Sequence, residues 1–263
     1  MRKYLYIFKS EVMSNMQYLA NLLLGFIGYA IMLFILLNMW KYLYSDPNEI
    51  INGYSLNQMV WYVIITEIIW SGLGGRKLSK KIAEDVKSGN IAYNISKPYS
   101  YIGYVLSNHL ADVIVKGTIY FILGMILGFI FLGTFPEMTL LNLVFVLLSC
   151  ILSNIISIFL ITFIGLFSFF VEDSSPFYWI YSKIILVLGT IFPIEYFPVF
   201  LRGILKFSPV YVVSYGPAKL FVDFSWNNLI SILIAQIIYI VISYLLCTFI
   251  YKKGVRRLNV NGG

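Results

Sequence analysis

Six long apolar segments constrain this chain more than any other feature of its sequence. A helix needs roughly 20 apolar residues to cross a bilayer core of about 30 Å, and a backbone inside lipid must satisfy its own hydrogen bonds, which favours helices. We therefore predict an all-α integral membrane protein, folded as a single transmembrane domain over residues 1–263. The six predicted spans are residues 19–40, 56–73, 112–133, 139–171, 177–195 and 227–251.

The composition and the charge distribution support a membrane location. Hydrophobic residues make up 60% of the chain and charged residues 12%, whereas about a quarter of a typical globular domain is charged. The net charge is +7, and with a cytosolic N-terminus the cytosolic segments hold 13 of the 19 lysines and arginines, while the outer segments hold four. Because positive charge stays on the cytosolic side, we predict a multi-pass plasma-membrane protein with both termini in the cytosol and no nucleic-acid partner.

The 18 residues before the first span have a pattern of their own. Tyr4, Phe8, Val12 and Met16 recur at four-residue spacing, and polar residues lie largely on the other faces. This spacing predicts an amphipathic helix over residues 1–18 that lies along the inner membrane interface. The alternative is a cytosolic continuation of the first span.

The longest polar stretch lies between the second and third spans. Leu78, Ile82 and Val86 stand at positions i, i+4 and i+8 and form one apolar stripe on a predicted basic helix over residues 76–88. A short helix is unstable alone and must bury such a stripe against something. Two interpretations stay open: a solvated connecting loop, or a helix that docks on a cytosolic partner.

A second, tighter cytosolic loop reads VEDSSPFYW. Ser175 is placed to cap the fifth span, with Pro176 at the first helical position. Glu172 and Asp173 lie near the same helix N-terminus, where negative charge is favourable. Capping is the default interpretation of this loop, and contact with a partner is the alternative.

The outer segment between the fifth and sixth spans is apolar but repeatedly broken by proline. It predicts two short helices, the second capped by Ser208 and begun by Pro209, and the dipeptide Gly216-Pro217 is predicted to end it. Both helices are too short to cross a membrane. Irregular backbone at membrane depth is tolerated only inside protein or beside a wet cavity, so we predict a re-entrant helical hairpin over residues 197–217.

Four charged side chains fall within predicted spans, where they must face protein or water because facing lipid is costly. Asp112 and Lys116 are four residues apart and can pair along one helix face. Glu67 lies in the middle of the second span, and Lys183 lies near the cytosolic end of the fifth, toward which its side chain can extend. These residues are predicted to pair or to line a polar cavity, and a proton- or ion-coupling site is the alternative.

The sequence contains no recognisable catalytic motif. The segment GLGGRK has the wrong spacing for a phosphate-binding loop, and neither H-E-x-x-H nor G-x-S-x-G occurs. The single histidine, His109, and two cysteines in apolar runs, Cys150 and Cys247, form no metal-ligand pattern. We therefore predict no enzyme activity, no metal and no cofactor in this chain.

Three stretches together resemble the type-2 ABC transporter permeases, the exporter class that includes daunorubicin-type drug and cell-surface polysaccharide exporters. They are DVKSGNIAYNISKPYSYI in the first cytosolic loop, FFVED after the fourth span, and GTIFPIEYFPVFL with SPVYVVSYGPAKL before the sixth. The resemblance implies a half-transporter that exports an amphipathic or hydrophobic substrate (a drug, antibiotic, peptide, lipid or glycan) by alternating access. It also implies two copies of a separate ATPase subunit that binds ATP and Mg, and a second permease that is identical or related.

The resemblance gives roles to residues that the patterns leave open. Residues 76–88 would be the coupling helix that seats in the ATPase, and residues 197–217 would close the exit. Two rival functions remain: a proton-coupled secondary transporter, and a non-transporting membrane immunity or assembly factor. The implied ATPase-coupling residues are Leu78, Lys80, Lys81, Ile82, Glu84, Asp85, Val86, Glu172 and Asp173, and the implied exit-gate residues are Pro193, Phe197, Pro198, Phe200, Phe207, Pro209 and Tyr211.

Overall fold

The computed structural model describes residues 2–17, 19–46, 48–136 and 138–261, and these form a bundle of α-helices. The β structure of the described residues is one antiparallel hairpin of β1 (Ile50–Ile51) and β2 (Tyr54–Ser55). The helices are α1 (Arg2–Gln17), α2 (Leu19–Leu43), α3 (Leu56–Leu73), α4 (Gly75–Lys87), α5 (Asn90–Ile95), α6 (Tyr101–Leu132), α7 (Leu140–Leu166), α8 (Ser175–Ile185), α9 (Val199–Lys206), α10 (Gly216–Val222) and α11 (Trp226–Asn261).

Four helical stretches are long and apolar enough to cross a membrane, which agrees with an all-α membrane protein. They are Gly25–Leu43, Tyr101–Leu132, Leu140–Phe169 and Trp226–Arg257. The second and fifth predicted spans are also helical. However, α3 and the shorter apolar stretch Ser175–Ile191 are not among the helices that are long and apolar enough to cross a membrane. The count of six spans therefore stays a prediction.

The helix α3 is the central element of the bundle. Most of its side chains are buried, and its neighbours include α2, α6 and α10. Gly124 and Gly128 of α6 allow a close approach, because a side chain at either position would overlap Ile68 or Trp61 of α3. Since neighbours surround α3, its surface does not have to be uniformly apolar, and it can carry the buried Glu67.

Two helices extend beyond the predicted spans into polar sequence. The helix α6 begins at Tyr101, before the predicted start at residue 112, and the Ser100 hydroxyl caps it by accepting a hydrogen bond from the Gly103 N–H at 3.1 Å. The helix α11 continues to Asn261, past the predicted end at residue 251. Hydropathy marks the part of a helix that suits lipid, whereas the helix itself continues as long as its backbone hydrogen bonds do.

The fifth predicted span is not one regular helix. The helix α8 ends at Ile185, and a π-helical turn, Leu186–Ile191, follows it. Side chains of α3 meet the irregular backbone there: the Tyr62 hydroxyl donates to the Gly189 carbonyl, and the Thr66 hydroxyl donates to the Thr190 carbonyl at 3.1 Å. This pairing stabilises a broken helix inside an apolar bundle.

The proline-rich segment that is predicted to lie outside contains two helices that differ in their surroundings. The helix α9 has a largely exposed apolar face, whereas α10 and the π-helical turn Tyr211–Tyr215 before it are buried within the bundle. The prediction that Gly216-Pro217 ends the segment is wrong, because α10 begins there and runs to Val222. Pro217 lies in the first turn of α10, where proline is well tolerated because N–H groups there lack intrahelical partners.

Candidate functional site

The basic helix α4 is fixed to the bundle at its first residue. Gly74 joins α3 to α4 with φ +57°, a left-handed conformation that glycine adopts without strain. The buried His109 of α6 donates a hydrogen bond from Nε2 to the Leu73 carbonyl at 2.7 Å. The direction of α4 is thus set both by the glycine and by a side chain of α6.

The apolar stripe of α4 is covered by this chain itself. Leu78, Ile82 and Val86 are buried, Ile82 to 1% exposure, and α4 packs against α7. Gly165 of α7 lies directly against the Ile82 side chain, and a side chain at Gly165 would crowd it. The stripe therefore needs no cytosolic partner to cover it, and docking by α4 stays a prediction that concerns its opposite face.

That opposite face is polar and mostly basic. Lys80 and Glu84 are exposed and form an i, i+4 pair at 3.7 Å, while the exposed Lys81 donates to the Asn108 side chain of α6 at 3.3 Å. Asp85 is held inward, because it accepts a hydrogen bond from the Tyr101 hydroxyl at 2.8 Å. The exposed basic residues of the face are Arg76, Lys77, Lys80, Lys81 and Lys87.

The loop between α7 and α8 presents exposed acidic side chains, Glu172 and Asp173. Asp173 accepts a hydrogen bond from the Ser175 N–H at 3.0 Å, and this bond, with help from the charge of Lys87 on α4, lowers the pKa of Asp173. The predicted cap at Ser175 is wrong, because α8 already includes that residue and Asp173 receives its N–H. Ser174 does not take over this role, since its hydroxyl bonds to the Ser168 hydroxyl at 2.8 Å.

The N-terminal helix α1 attaches beside the start of α6. The Tyr4 hydroxyl accepts a hydrogen bond from the Ser100 N–H at 3.0 Å, and Glu11 accepts one from the Asn108 side chain. On other faces of α1, large apolar side chains such as Leu5 and Met13 are exposed. This arrangement suits a helix that lies on the membrane interface.

The seven predicted exit-gate residues fall into two groups. Pro193 is buried, and Phe197, Pro209 and Tyr211 are partly buried. The others are exposed on and around α9: Pro198, Phe200 and Phe207, of which Phe207 reaches 87% exposure.

A hydrogen-bonded cluster that sequence reasoning missed joins the β-hairpin to the segment around Glu195 and to α10. Glu195 accepts bonds from the Tyr54 hydroxyl at 3.0 Å and the Tyr215 hydroxyl at 2.6 Å. Lys219 lies 3.7 Å from Glu195 and 2.7 Å from Asp223. Burial, with the neighbouring Tyr215 and Glu195, raises the pKa of Tyr54, so its hydroxyl stays a donor. No sequence pattern indicated this cluster, because it joins the β-hairpin to residues far along the chain.

The four intramembrane charges do not form one site among the described residues. Asp112 and Lys116 form the predicted ion pair at 2.6 Å. Glu67 is 2% exposed; Ser71 donates to its Oε2 at 3.3 Å, and its Oε1 has no hydrogen-bond partner in the described part of the chain. Lys183 is exposed beside the Trp179 ring.

No metal-binding group was found among the described residues: no three or more His, Cys, Asp or Glu side chains come together there.

Long apolar helices, packed with shorter helices that include the basic α4, are those of an all-α membrane protein. A family model described as ABC-2 family transporter protein matches residues 19–262. Because the match spans nearly the whole sequence, the chain belongs to this family of transport membrane subunits. The resemblance to type-2 ABC transporter permeases is thereby confirmed. No curated protein matches the sequence.

Proposed function

We propose that this chain is the membrane-spanning subunit of an ATP-driven exporter that works with a separate ATPase. Family membership supports a permease role, since such permeases usually work with an ABC ATPase. The observation that carries the proposal is the placement of α4, whose apolar stripe is anchored in the bundle while its basic face is exposed. A helix held in this way can receive a push on one face and transmit it through the other.

The helix α3 connects α4 to the segment that contains α10. It continues directly into α4 through Gly74, and at its other end Gln58 donates to the Val222 carbonyl of α10 at 3.2 Å. Between these points Tyr62 and Thr66 hold the π-helical turn after α8. In the proposed alternating-access cycle, closure of two ATPase copies moves two α4 helices together, and α3 transmits the movement to the outer hairpin.

The proposed topology has six spans, both termini in the cytosol of a plasma-membrane protein, and α9 on the outer side. The second permease subunit, identical or related, would complete the pathway. The exposed apolar face of α9 suits the outer leaflet or the exit between two permeases. We propose an amphipathic or hydrophobic substrate because the helices offer apolar surface throughout.

Co-purification with a co-expressed ATPase tests the docking face. We expect Lys80→Glu with Lys81→Glu to reduce recovery of the ATPase by about tenfold, because reversing interfacial charge turns attraction into repulsion. Lys252→Glu with Lys253→Glu, at the exposed cytosolic end of α11, is the matched control and is expected to keep recovery unchanged. Equal loss in both pairs would contradict a docking role for α4.

Transport assays in inside-out vesicles distinguish ATP from the proton gradient as the energy source. With the ATPase present, we expect ATP-dependent accumulation of the amphipathic dye Hoechst 33342 that persists when the proton gradient is collapsed. Accumulation that needs no ATPase and disappears with the gradient would identify a secondary transporter instead. That rival has one supporting observation, the buried carboxylate of Glu67, whose Oε1 has no hydrogen-bond partner among the described residues.

A further inference from the structure

A cleft of about 570 Å³ lies where α3 joins α4, beside the first turn of α8. Its basic side chains are Arg76, Lys77 and Lys80 of α4, which are all exposed, and none of the residues that line it is acidic. The carboxylate of α3, Glu67, is buried one turn before Ser71 and does not line the cleft. The cleft therefore gathers three positive charges with no negative charge in its walls.

The rest of the chain neutralises these cations only weakly. Arg76 and Lys77 form no ion pair with any of the described residues. Lys80 lies 3.7 Å from Glu84, but the two side chains are 75% and 64% exposed, and exposed pairs of this kind contribute little. Three like charges held this close on one helix repel one another, so a bound anion would stabilise them.

The surroundings of the cleft indicate what kind of anion fits. Trp70 and Tyr178 form aromatic parts of its wall, and these two residue types are enriched where a membrane meets water. The neighbours of Tyr178 on α8, Phe177, Trp179 and Ile180, are large, apolar and exposed. Positive charge beside an apolar surface suits a molecule with an anionic head and a hydrocarbon tail.

We propose that this cleft binds the headgroup of an anionic phospholipid, with Arg76, Lys77 and Lys80 contacting its phosphate. The phosphate gains charge-assisted hydrogen bonds there while the acyl chains stay in the bilayer. Assignment to the cytosolic leaflet rests on the proposed function and its topology, whereas binding itself depends on neither. Because Gly74, which joins α3 to α4, lies in the cleft wall, a bound headgroup ties the first turn of α4 to the bilayer.

Native mass spectrometry of the purified chain in detergent tests the choice of headgroup. The protein is titrated with dioleoyl-phosphatidylglycerol, which is anionic, and with dioleoyl-phosphatidylcholine, which has the same chains and no net charge. We expect the wild type to bind the first phosphatidylglycerol at least tenfold more tightly than phosphatidylcholine. Arg76→Gln with Lys77→Gln should weaken phosphatidylglycerol binding by about tenfold to thirtyfold, at roughly fivefold for each basic side chain, and should leave phosphatidylcholine binding unchanged.

The matched control removes the same two charges elsewhere. Lys253→Gln with Arg256→Gln takes one lysine and one arginine from the exposed end of α11. All four positions are exposed, so each pair of substitutions is expected to leave the fold intact. Phosphatidylglycerol affinity in the control pair should stay within about twofold of wild type.

Four results would overturn the lipid site. Equal affinity of the wild type for both lipids would exclude selection of the headgroup, and equal loss in the two variant pairs would mean that phosphatidylglycerol follows overall charge. Displacement of the lipid by an equal concentration of inorganic phosphate would identify a site for a free anion. Lost ATPase recovery in Arg76→Gln with Lys77→Gln, with phosphatidylglycerol binding retained, would assign the cleft to protein docking.

The lipid site and the exporter proposal can fail separately. The titrations use the permease alone, so they stay interpretable if transport needs no ATPase. Equal affinity for the two lipids would likewise leave ATP-dependent transport and ATPase co-purification to be judged by their own assays.

Discussion

Replacing Ile82 by alanine should release α4 from the bundle without unfolding the rest of the chain. Ile82 is 1% exposed and packs beside Gly165 of α7. Removing a buried isoleucine side chain to this extent costs about 2–5 kcal/mol. The helix α4 is short, and its apolar stripe is what packs it on the bundle, so we expect the loss to act on its local opening.

Hydrogen exchange measured by mass spectrometry in nanodiscs gives the local free energy directly. Since about 1.4 kcal/mol corresponds to a factor of ten, Ile82→Ala should speed exchange of the α4 amides by roughly thirtyfold to several thousandfold. The matched control is Lys80→Glu on the opposite face. Its side chain is 75% exposed, so a change below about 0.5 kcal/mol is expected, and exchange should stay within about twofold to threefold.

Two outcomes would refute this reasoning. Wild-type exchange in Ile82→Ala, or equal acceleration in Lys80→Glu, would mean that the stripe does not hold α4. Loss of ATPase recovery in Ile82→Ala with α4 still protected would instead mean that the stripe is a docking surface after all.

Three further predictions concern other parts of the chain. Tyr215→Phe removes one hydrogen bond to Glu195 and should lower the local stability of the outer segment by about 1 kcal/mol, measured by hydrogen exchange there. Asp112→Asn leaves the mostly buried Lys116 without its partner and should lower the free energy of unfolding by about 3–5 kcal/mol, measured by denaturant titration. Gly203→Cys, where a side chain meets no atom within 4 Å, should react with an impermeant maleimide only from outside.

Each of these has its own control or contradicting outcome. Tyr211→Phe removes only a long 3.5 Å contact with Ser231 and should leave exchange nearly unchanged. Adding Lys116→Met to Asp112→Asn should recover much of the lost stability, because no charge remains buried. Cysteine labelling at position 203 from the cytosolic side would contradict the proposed topology.

The membrane character of the chain could be read from the sequence because burial in lipid depends on local composition. Each predicted span contains helix, and the apolar stripe of α4 occurs where its spacing placed it. Pairing of Asp112 with Lys116 was also predictable, since residues four apart share one helix face. These features need only neighbours in the chain.

The assignments that failed depended on neighbours in space. Periodicity showed that α4 has an apolar face but could not show that α7 covers it, because Gly165 and Ile82 are distant in sequence. The Gly216-Pro217 dipeptide carried a strong signal for a helix end, yet the same residues suit the first turn of α10. Local signals of this kind are compatible with more than one outcome until packing selects among them.

The sequence alone thus determined an apolar helical membrane protein, the charge asymmetry that predicts its orientation, and the motifs by which its family is identified. Only the tertiary structure decided which face of α4 is exposed and which residues surround Glu195, where the Tyr54 and Tyr215 hydroxyls meet. The physical reason is that transfer into lipid follows from composition over about 20 consecutive residues. Contacts between helices depend instead on shape and hydrogen bonding across long sequence separations.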